Sequence, residues 1–131
     1  MKGLDTNILV RYFVQDDPDQ GEKATQFIEK TVAEGETCFI NNIVLCELIW
    51  VLESAYGYSK AEIVDLLEKV LKTSIFNFEN KDAVWWSLRE YKKSKADFSD
   101  CLISRQNKTH GCGETVSFDK VVKGVEGFVV L

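Results

Sequence analysis

The chain is poor in residues that break or staple a fold. Its 131 residues include one proline, one histidine, one methionine and four cysteines. With one proline and no Gly/Ser-rich or low-complexity stretch there is no candidate linker, and the length suits a single domain over residues 1–131. No internal repeat is visible, and no apolar run approaches the roughly 20 residues that cross a bilayer. The opening MKGLDTNILVRYFVQDD contains acidic residues and lacks both an extended apolar run and a small-residue cleavage site, so no secretory leader is expected there. Cys38, Cys46, Cys101 and Cys112 form no C-x-x-C pair, and reduced thiols in a cytoplasmic protein are expected. The lone histidine lies in HGCGE, where His110 and Cys112 fall short of a zinc ligand set. A Ser-His-Asp triad would have to use the same His110 at a helix end. A glycine-rich phosphate loop is also missing.

Acidic residues outnumber basic ones, 21 to 16. The net charge is −5, the wrong sign for a general nucleic-acid binder. One local exception is REYKKSK, which gathers Arg89, Lys92, Lys93 and Lys95, with Lys108 further on. Such a stretch is either a solvated helix end favoured by the macrodipole or a phosphate-steering patch beside an acidic pocket.

Strand-like and helix-like segments alternate. MKGLD, TCFI, SIFNFE, ETVSFD and GFVVL have strand character, the first ending at Asp5 and the fourth at Asp119. TNILVRYFV reads as a helix that Thr6 or Asn7 caps. In PDQGEKATQFIEKTVAEG the helical spacing turns Ala24, Phe27, Ile28 and Val32 inward, with Gly35 as the stop. Asn41 or Asn42 caps the next helix, and Ser59 with Glu62 forms a capping box for SKAEIVDLLEKVLK. NKDAVWWSLREYKKSK is expected to bury Val84, Trp85, Leu88 and Tyr91, and DFSDCLISRQNKTHG is the last clear helix. Strands separated by helices predict an α/β fold: three layers, α/β/α, around a mostly parallel sheet of about five strands.

Ligands of such sheets bind beyond the carboxyl ends of the strands. Asp5 and Asp119 are placed there, and Asp97 and Asp100 lie in the first turn of the last helix. The fifth acid, Glu47, sits in IVLCELIWVL, where the other nine residues of 43–52 are apolar. Its surroundings predict a buried carboxylate, either paired with a cation or holding a metal, in a helix packed on both sides. Singly, Asp5 reads as an N-cap, Asp119 as a turn residue, and Asp97 or Asp100 as helix-dipole partners. Jointly, carboxylates at one sheet edge repel each other, and hard oxygen donors suit Mg²⁺ or Mn²⁺ and metal-assisted phosphoryl chemistry.

Four segments together, LDTNILVRYF, CELIWVL, ADFSDCLIS and SFDK, resemble the PIN-domain ribonucleases, most closely the VapC-type toxins of toxin–antitoxin pairs. The likeness covers essentially the whole chain and shows no departure at the acidic quartet. It implies that Asp5, Glu47, Asp100 and Asp119 are catalytic, with Asp5 and Asp100 as principal metal ligands and Asp119 and Glu47 completing the set. Asp97 matches an accessory acidic position, and Thr6, Asn7 and Ser117 match supporting polar positions. It further implies an Mg²⁺- or Mn²⁺-dependent endoribonuclease, an RNA substrate, a small cognate antitoxin and a homodimer. Arg89, Lys92, Lys93 and Lys95 would then be RNA-backbone contacts, while Trp50, Trp85 and Trp86 suit packing better than base stacking. Two other readings compete: a PIN-like interaction module that no longer cuts, and a receiver-type phosphoacceptor domain. The receiver fits less well, because a lone Asp5 ends the first strand and FNFEN has no aspartate.

Overall fold

The computed structural model describes all residues, 1–131. The backbone gathers into two compact units, Met1–Glu79 and Asn80–Leu131.

The first unit runs β1 (Lys2–Gly3), α1 (Thr6–Val14), α2 (Pro18–Ala33), β2 (Cys38–Ile40), α3 (Asn42–Ser54), α4 (Lys60–Lys72) and β3 (Phe76–Phe78). Its strands form one sheet in the order β1-β2-β3 with both pairings parallel, Lys2 opposite Cys38 and Cys38 opposite Phe76. Each parallel pairing needs a crossover, and the helix pairs α1–α2 and α3–α4 supply the two. Local chemistry sets the helix ends. Asn41 accepts the backbone N–H of Val44 at 2.8 Å, and Asp17 accepts that of Gln20 at 3.0 Å, with Pro18 preorganised at the first helical position. Ser59 and Glu62 form the expected reciprocal capping box on α4. The core consists of Leu9, Ile28, Cys38, Ile40, Leu45, Leu48, Leu52, Ile63, Leu67 and Leu71, all buried.

The second unit runs α5 (Lys81–Lys93), α6 (Phe98–Thr109), β4 (Thr115–Ser117), a short 3-10 helix (Lys120–Val122) and β5 (Phe128–Val130). Val84, Leu88, Tyr91, Phe98, Cys101 and Leu102 are buried, with Tyr91 and Phe98 edge-to-face at 6.0 Å. β4 pairs with β5 in parallel, Thr115 opposite Phe128.

Five strands are therefore present and every pairing is parallel, as α/β alternation requires. The hydrogen bonds join them as three and two rather than as a continuous run of five. Two side-chain assignments made from helical spacing need correction. On α2, Phe27 and Val32 are exposed, and Thr31 is buried in their place. Its hydroxyl donates to the carbonyl of Phe27 at 2.8 Å, which removes the cost of burying it. On α5, Trp85 is only half-buried, while Ala83 and Ser87 fill the inner face.

Candidate active site

In the first unit, β1 and β2 run side by side in the same direction, so the segments leaving them emerge at one edge of the sheet. β1 ends at Gly3, two residues earlier than the sequence suggested, and Asp5 is the N-cap of α1. Its Oδ1 accepts the backbone N–H of Thr6 at 2.7 Å. β2 ends at Ile40, and the α3 helix that follows carries Glu47. The Thr6 hydroxyl donates to Glu47 Oε1 at 3.4 Å. Asp5, Thr6, Asn7 and Glu47 all line one cleft of about 410 Å³, together with Arg11 and Tyr56.

Within the single chain Glu47 is not buried: its side chain is exposed, and no cation of the chain pairs with it. Ile43 and Trp50, 72% and 69% exposed, flank it on the outer stripe of α3 at helical spacing. Apolar neighbours in sequence therefore do not enclose it. The inner face of α3 is carried by Val44, Leu45, Leu48, Ile49 and Leu52.

At the far end of this cleft a polar network fixes Arg11. Its Nη1 donates to Asp16 Oδ1 at 3.0 Å and its Nε to Gln20 Oε1 at 2.8 Å. The Tyr56 hydroxyl donates to the other Asp16 oxygen at 2.9 Å. That hydroxyl bond first, and then the bond and charge of the Arg11 guanidinium, hold the Asp16 carboxyl below its ordinary range. Sequence reading passed over Arg11 and Tyr56 because their partners lie in different elements.

In the second unit, Asp97 is the N-cap of α6 and Asp100 lies in its first turn, where Asp100 Oδ2 accepts the Asp97 backbone N–H at 3.2 Å. Burial first, and then the negative charges of Asp97 and Asp119, push the Asp100 carboxyl above its ordinary value, against the hydrogen bond from Asp97. β4 ends at Ser117, so Asp119 lies beyond the strand, as N-cap of the 3-10 helix, with Oδ1 accepting from Val121 N–H at 2.9 Å. The Ser117 hydroxyl accepts the Asp119 N–H at 3.0 Å and shapes that turn. The capping roles expected of these acids taken one at a time are thus real, and Asp100 carries an electrostatic load besides.

The quartet falls two to a unit, Asp5 with Glu47 and Asp100 with Asp119. No three His, Cys, Asp or Glu side chains stand together in an arrangement that would hold a metal ion. The donor chemistry nevertheless fits a hard divalent cation. Every candidate donor is an oxygen, most are open to water as Mg²⁺ requires, and the charge crowding at Asp100 is of the kind a cation relieves. His110 is exposed at the end of α6, its Nε2 3.3 Å from Gln106 Nε2, and forms no thiol–imidazole pair that would favour zinc.

Of the basic stretch, Arg89 and Lys95 are exposed, and Lys93 pairs with the largely buried Glu90 at 3.1 Å. Lys92 and Lys93 occupy the last turn of α5, where the macrodipole favours them. Among the tryptophans, Trp86 lies under Arg105, whose guanidinium carbon is 5.0 Å from the ring centroid.

The family model described as the PIN domain matches residues 3–127, running through both units. A curated VapC ribonuclease from Aquifex aeolicus (strain VF5) is 33% identical over 123 residues, covering 94% of this chain and 90% of that protein.

Proposed function

The chain belongs to the PIN-domain family, whose architecture is three-layered α/β/α, and on that premise we propose that it is a metal-dependent endoribonuclease, the toxin of a toxin–antitoxin pair. The observation that carries this reading is the cleft that Asp5 and Glu47 line beside two parallel strands, in a chain 33% identical to a named ribonuclease.

Asp5, Glu47, Asp100 and Asp119 are the proposed catalytic carboxylates, with Asp5, Asp100 and Asp119 as ligands for Mg²⁺ or Mn²⁺. A divalent ion bound there would lower the pKa of a water toward about 7 and offset charge in the phosphoryl transition state. Glu47 and Asp119 would orient a water and help remove its proton. Thr6 holds Glu47 through its hydroxyl, and Ser117 fixes the turn that presents Asp119. Asp97 adds negative charge beside Asp100, and Asn7 offers an amide at the cleft wall. Arg89, Lys92, Lys93 and Lys95 are proposed contacts for the RNA backbone. On the likeness to a VapC ribonuclease we read the protein as cytoplasmic. No helix is long and apolar enough to cross a membrane. The partners are a small antitoxin and a second copy of the chain, to which α3 offers Ile43 and Trp50. A Trp50→Glu variant would then run as a monomer where the wild type runs as a dimer.

Growth arrest on expression tests the toxin reading. Wild-type expression should stop growth and leave new RNA 5′ ends at defined sites, and a small protein encoded beside it should relieve the arrest. A chain that binds such a protein yet leaves RNA intact in arrested cells would be an interaction module instead.

A further inference from the structure

Helix α1 is the wall between two hollows of the first unit. On one side is the cleft that holds Asp5, Thr6 and Glu47. On the other, between α1 and α2, is a second hollow of about 400 Å³. Asn7 and Arg11 line both. The second hollow adds Gln20, Lys23 and Phe27, which fall on one face of α2 at helical spacing. No carboxylate lines it, although the chain as a whole carries a net charge of −5. Phe27 is 45% exposed there, an aromatic face turned to solvent where a core role was expected.

Arg11 is unusually well fixed for a side chain on an open surface. The bonds to Asp16 and Gln20 use Nη1 and Nε, and neither uses Nη2. Asp16 is itself pinned by Tyr56, from just beyond α3. With Nε and Nη1 held in this way, the guanidinium presents Nη2 without the rotamer loss a free arginine would suffer. Cations beside an exposed aromatic are the recurrent parts of a single-strand binding surface, where phosphates meet basic groups and bases stack on rings. The hollow also shares Asn7 and Arg11 with the cleft that carries Asp5 and Glu47.

We propose that the α1–α2 hollow is a nucleotide subsite, in which Arg11 and Lys23 hold a phosphate flanking the scissile one and Phe27 stacks on its base. Asp16 and Tyr56 are positioning residues that act through Arg11. This rests on the ribonuclease reading above and adds where the strand runs.

The test is fluorescence anisotropy of a labelled, mixed-sequence single-stranded RNA 12-mer, with EDTA present so that nothing is cut, over a series of KCl concentrations. Lys23→Gln and Arg11→Gln should each lower the slope of log affinity against log salt by about 0.7, the loss of one phosphate contact on a single strand. Arg11→Lys should keep the slope. Phe27→Ala should weaken binding about 5- to 150-fold at unchanged slope. Lys23 and Phe27 are exposed on α2, so their variants report on binding even if Arg11→Gln loosens the fold. Wild-type affinity and slope in both of those variants overturns the subsite. So does a loss confined to binding of the antitoxin, which would make the hollow a protein-docking groove. A wild type that neither binds the RNA nor cuts it with Mg²⁺ overturns the ribonuclease reading and the subsite together. A wild type that cuts while the variants bind normally overturns the subsite alone.

Discussion

The hydroxyl of Thr6, the first residue of α1, donates to Glu47 Oε1 at 3.4 Å, linking α1 to the middle of α3. Glu47 is exposed, so this hydroxyl, not an enclosing pocket, limits where its carboxylate points. Thr6→Val keeps the shape of the side chain and removes that restraint. It should raise the Mg²⁺ concentration giving half-maximal RNA cleavage by about 10-fold or more, with little change in melting temperature. A metal titration that overlays the wild type would remove Thr6 from the site.

Asp100 carries the clearest electrostatic load. Burial and the charges of Asp97 and Asp119 raise its carboxyl pKa in the folded state above the value of 3.8 for a free side chain. A folded pKa above the unfolded one means the folded protein holds the proton more tightly, so the ionised form opposes folding. That opposition is complete above the folded pKa and fades as pH falls through it toward 3.8. Asp100→Asn should therefore melt higher than wild type at pH 7 without metal, by roughly 4 °C for each kcal/mol relieved. The gain should narrow on acidification and shrink or reverse in excess Mg²⁺, which stabilises only the form that binds it. Equal destabilisation with and without metal would contradict a shared cation site.

Much of this architecture is legible in the sequence because it is local. Asn41 before an apolar run and Ser59 three residues before Glu62 state where helices begin, and both caps form. Asp5, Asp97 and Asp119 were legible as acids near strand or helix ends, although β1 and β4 stop two residues before Asp5 and Asp119. What could not be read is which side of an apolar segment meets water. Ile43, Glu47 and Trp50 share the outer stripe of α3, so nine apolar residues around one glutamate described a helix with two apolar faces and only one of them covered. Phe27 faces water for a related reason: Thr31 satisfies its own hydroxyl within the helix and takes the inner position. In the Arg11–Asp16–Tyr56 network the bond from Tyr56 to Asp16 spans 40 positions, and no pattern along the chain announces it.

The four thiols differ sharply in access. Cys38 and Cys101 are buried, Cys46 is half-buried with its thiol pushed up to about 11, and Cys112 is exposed. Iodoacetamide at pH 7.5 (about one unit below the ordinary thiol pKa) should label Cys112 in the native protein and spare the others until denaturant is added. Mass spectrometry of the tryptic peptides reads this directly.

Gly127 takes φ +94°, and a Cβ there would run into the Ser104 hydroxyl oxygen. That hydroxyl donates to the carbonyl of Glu126 at 2.9 Å, joining α6 to the turn before β5. Gly127→Ala should cost at least the roughly 1–2 kcal/mol of the left-handed backbone, with a further loss from the displaced Ser104. Urea denaturation should show a lower midpoint at an unchanged slope.

Asp5 and Asp119 are each proposed to be needed for metal-dependent cleavage. The most direct measurement is cleavage of total RNA by the purified chain with Mg²⁺ or Mn²⁺, compared with EDTA and with Asp5→Asn and Asp119→Asn, one substitution in each unit. Cleavage at defined sites by the wild type, abolished by EDTA and by either substitution, is the predicted result. Cleavage that survives EDTA, or that either folded variant retains at the wild-type rate, would contradict the account.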